Sequence, residues 1–147
     1  MNLSAIDRLI RDEQALQNGE FVRNADLGTY IEKLKNNAEF LIHCSNGELA
    51  AFVAFYCNDP NKHCAFITLV LTKLEFRGKK IADGLVEGVM SLVEKRGFDA
   101  CQLEVKKDNE VALALYQKKK FKIVKELNES LLMERRFKWK EVCVFKT

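Results

Sequence analysis

Proline occurs once, at Pro60, tryptophan once and histidine twice in these 147 residues. No apolar run reaches the about 18 residues that a membrane-spanning helix needs, and the polar stretch after Met1 does not read as a signal peptide. A soluble cytoplasmic protein with no membrane partner is therefore expected. The charge excess is equally small: 24 Lys and Arg against 21 Asp and Glu give +3. Such a balance argues against a nucleic-acid partner. No internal repeat or low-complexity tract divides the chain. One domain over residues 1–147 is expected, long enough to bury a sizeable core, with 138–147 as an extra strand or tail.

The cysteines exclude more than they offer. There are five, at 44, 57, 64, 101 and 143, an odd number with no Cys-x-x-Cys pair. Four lie inside apolar runs, where reduced, buried thiols acting as small hydrophobes are expected. His43-Cys44 and His63-Cys64 are sequence neighbours, and neighbours on a strand point to opposite faces. With no second spaced pair to complete a tetrahedral site, no metal is expected.

What is present is patterned. Ser4 and Asp7 form a capping box ahead of a first helix with Ile6, Leu9, Ile10 and Leu16 on one stripe, closed by Asn18-Gly19. Asp26 caps a second helix whose Leu27, Tyr30, Ile31 and Leu34 share a face. Phe40–His43, Asn46-Gly47 and Leu49–Cys57 predict a hairpin with a type I′ turn. Its second strand has no polar alternation and should be covered on both faces. After the loop holding Pro60, His63–Thr72 returns as a strand. A helix follows over Ala82–Arg96, with Leu85, Val89, Leu92 and Val93 at helical spacing and Gly97 as its stop. Gly84 and Gly88, four apart, imply close packing of that helix on a sheet. Lys122–Leu127 and Leu131–Phe137 predict a closing hairpin, with Phe121 in the core, and Trp139–Thr147 alternates weakly.

The chemistry concentrates between Thr68 and Phe121. Strand, basic turn and helix follow one another at Phe76-Arg77-Gly78-Lys79-Lys80-Ile81-Ala82. The first amides of such a helix are unpaired and carry the positive end of the helix dipole, so the junction suits a phosphate. Lysines cluster at 79–80, 106–107 and 118–120, a field favouring an anionic ligand.

Together with Asn109, Ala112, Tyr116 and Phe121, this turn resembles the signature of the GNAT family of N-acetyltransferases. That signature is Arg/Gln-x-x-Gly-x-Gly/Ala on the turn, then Asn-x-x-Ala-x-x-x-Tyr and a Gly-Phe. Arg77, Ala82, Asn109, Ala112, Tyr116 and Phe121 match at the right intervals, whereas Lys80 and Lys120 replace the family's glycines. The portion from Leu103 to Tyr116 looks most like the branch that acetylates the N-terminal alanine of a ribosomal protein. The family's usual opening strand is not seen ahead of the first helix.

The resemblance implies a GNAT-like α/β fold: a mixed, twisted sheet of six or seven strands flanked by about four helices. It implies an acetyl-CoA-dependent N-acetyltransferase, an enzyme moving an acetyl group to a primary amine of a small molecule or a peptide N-terminus. Two strands splay apart in that family, and the backbone of Val70, Leu71 and Thr72 would meet the pantetheine arm of acetyl-CoA. Arg77, Gly78, Lys79, Lys80, Ile81, Ala82 and Asp83 would surround the pyrophosphate, and Asn109 the pantetheine side. Glu104 would be the base and Tyr116 the acid. A weakened CoA-binding sensor, motivated by Lys80, Lys120 and the missing first strand, and a non-enzymatic interaction module using the tail are the alternatives. A monomer or homodimer is compatible with all three.

Overall fold

The structure, a computed structural model, describes residues 3–23 and 25–137. Helices α1 (Leu3–Leu16) and α2 (Leu27–Asn37) precede strands β1 (Glu39–Ser45), β2 (Glu48–Tyr56) and β3 (Cys64–Thr72). Helix α3 (Ile81–Lys95), β4 (Ala100–Lys106), α4 (Glu110–Lys118), β5 (Lys122–Glu126) and β6 (Ser130–Arg136) complete it. The six strands form one sheet in the order β1-β2-β3-β4-β6-β5. β3 and β4 run parallel, and the other neighbours are antiparallel. The α/β fold with a mixed sheet and four helices is thus the expected one. The tail strand anticipated beyond 137 lies outside the described residues, as does Cys143.

Helices cover both faces of the sheet, which explains the apolar run in β2. Ala51, Val53 and Phe55 point to the side of α3 and α4, where they join Val86, Val89, Met90, Val93, Tyr116 and Phe121. Phe52 and Ala54 point to the opposite side and meet Ile6, Leu9, Ile10, Ile31 and Leu34 of α1 and α2. A strand buried on both faces has no solvent side on which to place polar residues.

The local signals worked where they were chemical. Asn46 and Gly47 both take positive φ, +52° and +77°, as a type I′ hairpin requires. Asp26 caps α2, its side chain accepting from the Thr29 amide at 2.9 Å. The closing hairpin is β5–β6, and Phe121 is buried.

Four local expectations need correction. α1 already contains Ser4, so Ser4 is not its N-cap, and Asp7 instead pairs with Arg11 one turn on at 2.6 Å. Leu16 is largely exposed, and the buried stripe of α1 is Ile6, Leu9, Ile10 and Glu13. Only Cys101 is buried among the described cysteines; Cys57 and Cys64 are half-buried and Cys44 is exposed. Of the two glycines in α3, Gly88 alone lies close to a neighbour. A Cβ there would come within 2.8 Å of a Leu41 methyl, whereas one at Gly84 would meet nothing within 4 Å.

Candidate active site

The site begins with a failure of pairing. β3 and β4 are in register only from Cys64–Ala100 to Ile67–Leu103, although β3 continues to Thr72 and β4 to Lys106. At the same level the β2–β3 register slips: Ala54 faces Leu69 and Phe55 faces Ile67, so Thr68 is an extra residue. A bulge bends its strand and increases the local twist. Beyond it the two parallel strands part, and the backbone edges of Thr68–Thr72 and Glu104–Lys106 that face each other are left without strand partners. Buried backbone groups need partners, so an opening lined by them is suited to a ligand that carries amides.

That opening is a cavity of about 960 Å³. Its walls include Val70, Leu71, Thr72, Arg77, Gly78, Lys80, Ile81, Ala82, Asp83, Glu104, Asn109 and Tyr116. Every residue that the resemblance assigned to the cofactor or to catalysis, except Lys79, therefore lines one space. Lys79 turns its ammonium over the Phe76 ring instead, 5.6 Å from the centroid.

The start of α3 forms one end of the cavity. α2 and α4 are capped by the side chains of Asp26 and Asn109, whereas Lys80, at the N-cap of α3, makes no such bond. The first amides of α3 are thus left for another acceptor. Lys80 sits in the left-handed region at φ +61°, ψ +22°, and Lys120 at φ +69°. These are the two positions where the family signature has glycine, and the backbone keeps the conformation that glycine favours. A lysine there costs about 1–2 kcal/mol of backbone strain; the departure alters the side chain and leaves the shape of the turn intact.

Asp83, in the first turn of α3, would oppose an anion at this end. It is answered by Lys119 and, at 3.4 Å, by Lys118 of α4. The hydrogen bond from Lys119 holds the Asp83 carboxyl below the usual carboxylate range, with Lys118 adding to it.

The other end carries Glu104 and Tyr116. Glu104 is exposed on β4, and the Ser130 hydroxyl donates to its Oε1. Glu104 is in register with Leu132, so Ser130, two residues away on β6, shares its face of the sheet. Tyr116 is 8% exposed and packs edge-to-face on Phe121, ring centroids 5.8 Å apart. Asn109 accepts from the Ala112 amide at 3.1 Å, which leaves its side-chain NH2 as the group directed elsewhere.

Burial pushes the Tyr116 hydroxyl up to about 12 from an ordinary 10. The unfolded chain therefore loses this proton at lower pH than the folded chain. The stabilisation is complete below pH 10 and is lost as pH rises through about 12, amounting to about 3 kcal/mol. Denaturant titrations from pH 9 to 11.5 should show wild type losing stability faster than Tyr116→Phe. Parallel curves would mean that the hydroxyl is solvated.

Some participants gave little signal in sequence. Arg77 does not point freely into the cavity: its Nε donates to the Thr72 carbonyl at 2.9 Å, and its Nη2 pairs with Glu13 of α1. The one clue was a carboxylate at a stripe position of an amphipathic helix. Ser130 and the bulge at Thr68 had no signature at all. Among the described residues, no group of three or more His, Cys, Asp or Glu is placed to hold a metal ion, and no helix is long and apolar enough to cross a membrane.

A mixed sheet opened between two parallel strands, with an uncapped helix start at the mouth, defines an acyltransferase of the GNAT fold. Residues 6–121 match the model of the acetyltransferase (GNAT) family, and the chain belongs to that family. No curated protein matches the sequence. Among solved structures it is similar to the PaiA N-acetyltransferase of Thermoplasma acidophilum in complex with coenzyme A, with 22% identity, 92% of each chain covered and a TM-score of 0.75. It is similar also to a ribosomal-protein-alanine N-acetyltransferase of Brucella melitensis, with 18% identity over 91% of this chain and 93% of that one, TM-score 0.71. An aminoglycoside 6'-acetyltransferase type Ii gives 16% identity over 91% and 88%, TM-score 0.74.

Proposed function

We propose that this chain is an acetyl-CoA-dependent N-acetyltransferase acting on the primary amine of a small molecule or a peptide N-terminus. The observation that carries the reading is the unpaired opening between β3 and β4, which runs from the uncapped start of α3 to Glu104 and Tyr116. Its donors and acceptors fit the cofactor. Backbone groups of Val70, Leu71 and Thr72 would meet the pantetheine amides, amides of Gly78–Asp83 the pyrophosphate, and the Asn109 side chain the pantetheine side. Acetyl-CoA supplies the activated acetyl thioester. Within the chain, Glu104 takes a proton from the acceptor ammonium so that the neutral amine attacks, and Tyr116, protonated at all physiological pH, holds one for the departing thiolate. The relatives named above differ in acceptor, and their shared fold leaves this open.

Calorimetric titration of acetyl-CoA tests the binding step, and thiol release with a panel of small amines and peptides tests the transfer. No heat on titration would favour a non-enzymatic interaction module. Binding without release on any amine would favour a CoA sensor. The lysine at the helix start offers a finer check. Lys80→Glu reverses a charge at the uncapped amides and should weaken acetyl-CoA binding by about tenfold at low salt, less at high salt. Lys79→Glu, off the cavity wall, should change it little. Equal effects of the two would place the cofactor's phosphates elsewhere.

A further inference from the structure

The only charged side chain buried among the described residues is Glu13, 5% exposed, on the α1 face that packs toward the sheet. It is fully engaged. Oε1 receives Arg77 Nη2, and Oε2 receives Gln17 Nε2 at 2.6 Å. Arg77 in turn stands at the head of the turn that leads into α3 and lines the same cavity as Gly78 and Lys80. Its charge is thus neutralised by a carboxylate on another element, itself part of the cavity wall, at the end where the amides of α3 await an anion.

An ion pair with one buried partner, Glu13, and one exposed partner, Arg77, adds little net stability, because desolvation of the carboxylate offsets the attraction. Its effect here is on where the positive charge of Arg77 is spent. We infer that Glu13 is an affinity-setting residue, holding Arg77 against α1 and away from the diphosphate of the cofactor. The inference rests on the acetyl-CoA reading above. Its consequence runs against the usual sense of a mutation at a buried polar residue: removing the charge of Glu13 strengthens ligand binding. The benefit to a transferase is turnover, since the CoA product shares the same diphosphate and must leave.

Glu13→Gln is the natural probe. The amide keeps an oxygen for Arg77, and Gln17 can turn its own amide to accept from the new NH2, so shape is preserved while one negative charge is lost. Calorimetry with acetyl-CoA, and with CoA alone, at low salt should give a Kd about two- to fivefold lower than wild type, a gain in the range of one surface charge pair. The gain should vanish at high salt, and should be absent in the Glu13→Gln/Arg77→Gln double variant, where no uncompensated guanidinium remains. A merely structural role predicts unchanged or weaker binding in Glu13→Gln, and that result overturns the inference while leaving the acetyl-CoA reading intact. Failure of the wild-type chain to bind acetyl-CoA overturns both. A check that needs no variant is the NMR signal of the Arg77 guanidinium, whose Nη2 donates to Glu13. It should stay nearly fixed as acetyl-CoA is titrated into wild type, and a large shift would show Arg77 transferred to the ligand.

Discussion

Glu104→Gln is expected to lower acetyl transfer by about 10²–10⁴-fold, the usual contribution of a positioned general base, and to leave acetyl-CoA affinity nearly unchanged. The argument is geometric. Glu104 lies on the part of β4 that has lost its β3 partner, so its side chain stands over the cavity. The Ser130 hydroxyl holds one carboxylate oxygen, which leaves the other to meet the amine. Glutamine keeps the size and the bond from Ser130 but cannot accept a proton. Raising the pH supplies neutral amine from solution, so the deficit of the variant should shrink as pH rises. Steady-state rates with a responsive amine, across pH and alongside calorimetric affinities, measure both effects. A variant that keeps most of its activity at neutral pH would remove Glu104 from the chemistry. Tyr116→Phe belongs to the same experiment: it retains the packing on Phe121 and should lower turnover through loss of the hydroxyl alone.

Phe52→Ala is expected to destabilise the fold by about 3–5 kcal/mol. Phe52 sits at the middle of β2 with no exposed surface, opposite Leu71 in register, and meets the Phe40 ring edge-to-face at 5.9 Å. It anchors the cluster through which α1 and α2 hold the sheet, together with Ile6, Ile10, Ile31 and Leu34. The neighbours are a rigid strand pair on one side and two helices on the other, so little collapse into the vacated space is possible. The loss should spread to function, because α1 carries Glu13 to Arg77. Urea unfolding gives the first quantity, and a loss below about 1 kcal/mol would mean that the helices close the gap. Hydrogen exchange of the α1 amides, faster in the variant, reports the second.

Much of this was legible in the residues. The Asn46-Gly47 hairpin, the Asp26 cap and the Gly97 stop, at φ +86°, depend on chemistry contained within a few neighbouring residues. The stripe of α3 and the two-sided burial of β2 follow from the period of apolar residues. The α1 stripe was misread at its end because periodicity alone favours Leu16, while the partner that makes Glu13 acceptable inside lies 64 positions away. A separation of 26 positions likewise hides the link between Ser130 and Glu104.

The fold class and the basic turn were determined by the sequence, and the candidate residues from Val70 to Tyr116 were named by it, since each rests on local pattern or on motif spacing. The tertiary structure alone decided what those residues are free to do. It parted β3 from β4 at Thr68, a matter of register between strands. It turned Lys79 onto Phe76, kept Lys80 in the left-handed conformation, and set Lys119 against Asp83. It also gave Arg77 a buried carboxylate as its partner. Charges act through space with a reach set by distance and burial, and neither quantity is written in the order of residues along the chain.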